Sequence, residues 1–465
     1  MSFSQIGDHV ELQRGNTYKS ALLDAEGPFL LGLGSIQRDG GFKDSNLRTY
    51  GGPSAEKMLV YPGDLYVSLK DVTQSGDLLG SVARVPKHIP VGRMTQDTVK
   101  LLFKSDIDRN YFYWLLRTPE YRSYCRSRAT GTTNLGLSRD DFFAFEVPGF
   151  SDTRQRLVNV LEHIESKIVT SVRINHTLEA IAQAIFKSWF VDFEPTKAKI
   201  AAREALQAEN PDATPKQIAT AEQQAAIQAL AGAGDVIPTE QFQIIADFFP
   251  NQLVESELGE IPDGWEVSEI GNEVKVCGGG TPSTKNAEFW DKGNIAWTTP
   301  KDLSGKTSKI LIDTDRKITE LGLKKISSGL LPVNTVLLSS RAPVGYLALA
   351  KIPLAVNQGY IAMVCDKNIT PEFVINWCDS VMDEIKQRAS GTTFLEISKK
   401  NFKLIKITLP PKTLCEVYSL ITEPLYNLIS SNETESEMLK NIRDSILPKL
   451  LSGEIGSSLM EMSGE

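Results

Sequence analysis

The run RATGTT at residues 128–133 recurs as RASGTT at residues 388–393, and the flanks recur in step with it. Leu135, Ser138 and Phe142 answer Leu395, Ser398 and Phe402, and a proline follows each set, Pro148 and Pro410. The openings correspond as well: Ile6-Gly7-Asp8 against Ile270-Gly271-Asn272, then Gly15 and Thr17 against Gly279 and Thr281. The chain is a tandem duplication. Its period far exceeds the roughly 20 to 50 residues of solenoid repeats, so two copies of one globular device are expected. Two copies of one device imply an object to be gripped from two sides.

After each module comes a helical pattern. Leu157, Leu161, Ile164, Ile168, Ser171, Asn175, Leu178, Ala182, Ile185 and Trp189 alternate in steps of four and three, the seam of a coiled coil. Its length of roughly 50 Å follows from a rise of ~1.5 Å per residue. Ser171 and Asn175 in mid-seam are expected to fix register, with some loss of stability. The second copy is looser: Leu414, Val417, Ile421, Leu425 and Leu428, then Leu439, Ile442, Ile446 and Leu450. Pro424 and Pro448 predict kinks or the ends of sub-helices there. Two stripes in one chain most simply bury each other; the other reading lays each helix on its own module.

Between the copies, residues 198–234 are rich in Ala, Gln and Glu and are broken by NPDATP at 210–215, which predicts a helical hairpin ended by Ala-Gly-Ala-Gly. It has no counterpart in the second copy and no function legible in its residues. The modules themselves mix β-branched strand segments with one short helix before each Gly-Thr-Thr, around residues 109–117 and 371–385, with Trp114 and Trp377 aligned. The fold class is therefore α/β (α+β).

Charge separates along the chain. Residues 1–150 hold 18 basic against 17 acidic side chains and residues 263–410 hold 19 against 16, whereas 151–262 hold 9 against 16 and 411–465 hold 4 against 9. The acid lies in the helical parts, so the net charge of −8 does not exclude a polyanion as partner of the modules. Arg117, Arg122, Arg126 and Arg128, interleaved with Tyr121 and Tyr124, form one basic cluster; Lys399, Lys400, Lys403 and Lys406 beside Lys386 and Arg388 form another. Each reads equally as a phosphate-binding field or as a solvated face.

Five cysteines without a CxxC pair suggest neither a disulfide framework nor a zinc ribbon. All four histidines precede residue 177, so a mechanism shared by both copies cannot use histidine. No stretch has signal-peptide or membrane-spanning character, which predicts a cytoplasmic protein with no membrane partner. There is no P-loop, and no Asn/Asp-Pro-Pro-aromatic tetrapeptide of the kind adenine methyltransferases use. The glycine pairs Gly40-Gly41 and Gly51-Gly52 and the run at 278–280 read as turns rather than phosphate cradles. The carboxylate pairs Asp140-Asp141 and Asp383-Glu384 lack the Lys or His pattern of a nuclease.

Several strings together resemble one family: LGEIPDGWEVSEIGNEV (258–274), GGGTPSTKNAEFW (278–290), NIAWTTPKDL (294–303), SSRAPVG (339–345), IFKSWFVDF (185–193) and ILPKLLSGEI (446–455). In order and spacing they are similar to the specificity subunits of type I restriction-modification systems. The resemblance implies two target-recognition domains separated by two long antiparallel coiled-coil helices in an internal pseudo-two-fold repeat. It divides the chain into recognition domain one (1–150), helix one (151–197), the insertion and linker (198–257), recognition domain two (258–410), helix two (411–455) and a flexible tail (456–465). It further implies a non-catalytic, DNA-binding subunit. Each domain reads half of a gapped double-stranded site and the helices set the gap. Two methyltransferase subunits and the endonuclease-translocase subunits are the implied partners, and S-adenosylmethionine, ATP and Mg are held by those partners, with no cofactor or metal in this chain.

Base and phosphate contacts call for polar and cationic side chains on loops. The candidates are Thr17, Tyr18, Lys19, Arg38, Lys70, Gln96, Thr132 and Thr133 in module one, and Thr281, Ser283, Lys285, Thr299, Lys301, Arg341, Asn357, Gln358, Thr392 and Thr393 in module two. The repeated Gly-Thr-Thr also reads as a turn that caps the preceding helix. For partner docking, Ile181, Ile185, Phe186, Trp189, Phe190, Ile442, Ile446 and Leu450 exceed what one seam can cover. A standalone DNA-binding scaffold and an enzyme with an unrecognised site are the competing readings.

Overall fold

The computed structural model describes residues 3–38, 40–132, 134–231, 239–391 and 395–453. Two compact units emerge, and the first is not contiguous in sequence. One combines residues 1–168 with 437–465; the other is residues 169–436. Thr133, Thr392 and Thr393, the 232–234 end of the insertion and the tail at 456–465 lie outside the described residues.

In the first unit the strands Val10–Arg14, Thr98–Phe103, Leu65–Ser68 and Val82–Arg84 lie in that order, all antiparallel. In the second, Lys275–Cys277, Tyr360–Val364, Val336–Ser339 and Leu347–Ala350 take the same order and sense, with Ile310–Leu311 added parallel at the edge. The duplication read from Gly-Thr-Thr is thus a duplication of topology. The central strands LYVS and VLLS are buried at every residue, as a short unbroken apolar run between turn signals predicts. Each is entered through a left-handed residue two positions before it, Gly63 (φ 90°) and Asn334 (φ 66°), types that tolerate that region.

Helices close each core on the side of the two long helices. Arg109–Leu115 and Pro119–Ser127 are capped by Asp108 and Thr118, and Pro371–Ser380 by Thr370, each side chain accepting a backbone N–H in the first turn. Trp114 and Trp377 are buried at matching positions.

The first long helix runs Asp152–Phe190 and the second Lys412–Ile446. Nine of the ten seam positions on the first are buried and Leu178 is half-buried, so the four-and-three spacing located the inner face correctly. Within the first unit, Leu157, Leu161, Ile164 and Ile168 share a core with Ile446, Leu447 and Leu450. Glu165 pairs with Arg443 (3.6 Å), while Arg154 donates to the carbonyls of Leu450 and Leu451 (2.7 and 2.9 Å). Rising numbers meet falling ones, so the segments are antiparallel.

Within the second unit the same sense holds: the Tyr418 hydroxyl donates to the Ala182 carbonyl, and Asn175 meets Asn432 and Glu433. The mid-seam Asn175 is 1% exposed and satisfied on both sides, its amide donating to Glu433 (3.0 Å) and its oxygen accepting from Asn432 (2.8 Å). Such a pair favours one register, because a slip would bury its groups unpaired.

Pro424 does not end the second helix. It sits on the exposed face, and the carbonyl it deprives of a partner belongs to Leu420, a residue 73% exposed. Pro448 does mark a boundary, as the N-cap of the short helix Lys449–Ser452.

The insertion forms the hairpin Glu194–Glu209 and Pro215–Ala231, followed by Thr239–Asp247. It belongs to the core of the second unit, where Ala226, Leu230, Phe242, Ile245 and Phe249 cluster with Trp189 and Phe193. The buried Lys199 ammonium donates to the carbonyls of Ala246 (2.7 Å) and Phe249 (2.6 Å), closing the C-terminal end of Thr239–Asp247. Burial pulls its pKa down.

Candidate nucleic-acid interface

Each central sheet has one end turned to the long-helix segments and one end turned away. In the first unit, Arg84 at the near end forms a two-pronged bond with Glu162 of the long helix (2.8 and 3.1 Å), and Trp114 donates to the same carboxylate (2.7 Å). At the other end Arg14, Ser68, Val82 and Thr98 stand side by side in the ladder. The loops that leave this end carry most of the module-one candidates.

Thr17, Tyr18 and Lys19 follow the strand ending at Arg14 and are exposed. Gln96 is exposed beside them, its carbonyl accepting from Arg14 (3.0 Å). Lys70 follows the strand ending at Ser68 and pairs with Asp97 (3.2 Å). The loop of Thr132 returns to the same place, because Gly136 pairs with both Lys70 and Thr130. Arg38 lies farther along that edge, largely exposed, 3.8 Å from Asp77.

The second unit repeats the arrangement. The loops following Cys277 and Ser339 and preceding Tyr360 converge, joined by the loop after Thr298. Thr281 donates to Gln358 (2.7 Å), Gly280 N–H to Val356 and Asn357 N–H to Thr298. Arg341 bridges to Glu396 on the Gly-Thr-Thr loop, with a 3.6 Å ion pair. Ser283, Lys285 and Lys301 are exposed, and Asn357 is half-buried with its oxygen accepting from Gly359 N–H. Thr299 is a structural cap: its hydroxyl donates to Asp302, which also receives its N–H. Gly15 and Gly279 hold equivalent places where a Cβ would run into the carbonyls of Thr95 and Val356, so only glycine lets each first loop lie flat on its neighbour.

Two sequence expectations need correction. The arginine cluster of module one is only half at the surface, where Arg126 and Arg128 are exposed. Arg117 and Arg122 are 6% and 2% exposed; Arg117 donates to the Tyr113 hydroxyl and to Glu165, and Arg122 to the carbonyls of Leu79 and Asp77. Arg128 lies over the Tyr124 ring and pairs with Asp141. In the lysine cluster of module two, Lys406 is held by Glu257 and Glu269 and Arg388 by Glu384, while Lys399 lies across the Gly278 loop.

Nor do the large apolar residues of the long helices form an open strip. Ile185, Phe186, Trp189 and Phe190 are buried among Phe249, Trp265, Phe373 and Tyr418 of their own unit, and Ile446 and Leu450 are buried in the other. Ile181 is half-buried against that core, and of the eight only Ile442 is exposed, at 48%. The cover comes from segments distant in sequence, which a helical stripe cannot announce.

The carboxylate pairs have structural explanations. Asp140-Asp141 and Asp383-Glu384 each lie in the first turn of a short helix, where the exposed N–H groups favour negative charge. Bonds from Ser138 and then Arg128 hold the Asp141 carboxyl below its usual range. Burial pushes the thiols of Cys125, Cys378 and Cys415 up, Cys125 to about 11, so they are unreactive core residues. No helix among the described residues is long and apolar enough to cross a membrane.

Comparisons with known proteins point to one family. Residues 262–441 match the family described as the type I restriction modification DNA specificity domain. The chain is similar to the HindI specificity subunit of Haemophilus influenzae, 28% identical over 349 residues that cover 73% of this chain and 74% of that one. It is also similar to the MjaIX specificity subunit of Methanocaldococcus jannaschii, 33% identical over 193 residues, 41% of this chain and 44% of that one. Among solved structures, the S subunit of the M. genitalium type I system aligns over 97% of this chain and 95% of that one, with a TM-score of 0.51 and 15% identity, a likeness of fold.

Proposed function

We propose that this chain, which matches the type I restriction modification DNA specificity domain over residues 262–441 and is similar to specificity subunits, is itself such a subunit, and that each of its modules binds one half of a bipartite, gapped DNA site. One observation carries the reading: in each unit separately, the polar and cationic loops gather at the sheet end turned away from the long-helix segments. Loops held by backbone bonds to one another present their side chains without further ordering, which favours binding. Arg341 suits bidentate contact with guanine, and Asn357 and Gln358 suit adenine, while Thr281, Ser283 and the lysines position phosphates.

The long helices set the separation of the half-sites and dock the methyltransferase subunits. The docking surface is assigned to apolar residues that the helices leave exposed: Val160, Met438 and Ile442 in one unit, Val169, Ile174, Leu420 and Leu428 in the other. S-adenosylmethionine, ATP and Mg belong on this reading to the partner subunits, and the complex works on chromosomal DNA in the cytoplasm.

Exchange of residues 1–150 for the corresponding module of a homologue tests the assignment. Mapping of methylated adenines should show one half of the target altered, with the other half and the gap unchanged. Alteration of both halves would refute modular reading.

A further inference from the structure

We propose that Arg316 contacts a DNA phosphate for the second module, held in place by the indoles of Trp290 and Trp297; this rests on the DNA-recognition reading above. The first recognition loop of that module is pinned at two points. The Trp297 indole N–H donates to the Gly280 carbonyl (3.1 Å), and the Trp290 indole N–H donates to the Ser283 carbonyl (3.0 Å). Thr281 lies between these anchors. The two rings meet edge to face, 5.0 Å between centroids.

Arg316 stands opposite Trp297 in the strand pair and lays its guanidinium over both rings, 3.5 Å from the Trp290 centroid and 5.3 Å from that of Trp297. Its side chain is exposed. Among the described residues it donates no hydrogen bond and has no carboxylate within ion-pair distance. A stacked guanidinium uses its face and leaves its N–H edges available, in the planar fork that suits phosphate oxygens. The stack contributes ~0.5–1 kcal/mol at an exposed site, enough to limit the freedom of the side chain.

Module one supplies the contrast. There Arg93, 2% exposed, stacks on Tyr50 at 4.6 Å and donates to the Thr17 carbonyl, so its cation serves the first loop from inside. In module two the indoles hold the loop, and the guanidinium is left over at the surface beside it. A cation that no internal bond requires, fixed next to the loop of Thr281, Ser283 and Lys285, is placed for a backbone contact rather than for the fold.

The full-length chain is used to enrich duplexes from a random-sequence pool, and the recovered duplex is titrated by fluorescence anisotropy over a series of salt concentrations. Arg316→Gln and Arg316→Met remove the charge; the methionine keeps an apolar stem on the indoles. Both should make the slope of log K against log salt shallower by about 0.9, with weaker binding and unchanged base preferences. Folded variants with the wild-type slope, or a change in base preference without a change in slope, would overturn the assignment of Arg316 and leave the wider reading intact. Failure of the wild-type chain to enrich any duplex would overturn that reading, and this assignment with it.

Discussion

Replacing Arg154 by alanine should loosen the end of the helix pair before it unfolds the first unit. The guanidinium is 4% exposed and makes three bonds: to Leu450 (2.7 Å), to Leu451 (2.9 Å) and to Gly149 (3.0 Å). Two of these close the carbonyl end of Lys449–Ser452, where a cation is also favoured by the helix dipole. Bonds from a charged donor contribute ~1.5–3 kcal/mol each, an upper range of roughly 4–9 for the three. Part of that returns, because a frayed C-terminal turn can hydrate its carbonyls, and a net loss of about 2–4 kcal/mol follows. The loss should be local, since a four-residue helix opens at a lower free energy than the core strands. Hydrogen exchange should show residues 446–453 losing protection while the strands Val10–Arg14 and Thr98–Phe103 keep theirs. Uniform loss of protection across the unit, or none at all, would refute the argument.

Glu179 is 8% exposed and accepts the Lys309 N–H (2.6 Å). Burial raises its pKa, against the weaker opposing effect of that bond. A carboxyl raised in the folded state binds its proton more readily there, so its contribution to stability falls as pH rises from the ordinary glutamate range through the raised value. Glu179→Gln keeps the acceptor, so it should be at least as stable as wild type near neutral pH and should show a flatter fall in that window; urea midpoints across the range check this. Glu372, raised by the same cause, leaves some slope in the variant. Arg341→Ala removes only a half-exposed ion pair, which contributes ~0–1 kcal/mol to stability. If Arg341 reads a base, DNA affinity falls by ~1–3 kcal/mol with relaxed preference at one position, and binding assays against single-base variants of the target would show neither if it is framework.

The features legible in the sequence were those carried by periodicity and repetition. The Gly-Thr-Thr repeat gave away two modules of one topology, and the four-and-three spacing found the inner face of the first long helix. The hairpin was visible from NPDATP. The misreadings concerned burial imposed from far along the chain. Arg122 looks like a surface charge until the carbonyls of Asp77 and Leu79 close around it, more than 40 residues away. Phe186, Trp189 and Phe190 look unpartnered until Phe249, Trp265 and Phe373 arrive. Arg316 was missed because a lone arginine in a strand carries no pattern; only the fold brings it onto Trp290.

The first unit borrows a wall from residues 437–453, and the second begins inside the first long helix, at residue 169. A gene broken between the modules would therefore encode two pieces that each lack part of their own interior. Neither is a free-standing building block, and shuffling among relatives is constrained at Leu157, Leu161, Ile164 and Ile168, whose neighbours Ile446 and Leu450 come from beyond the second module. New heads can be acquired only if their bases still fit a tail they did not bring with them.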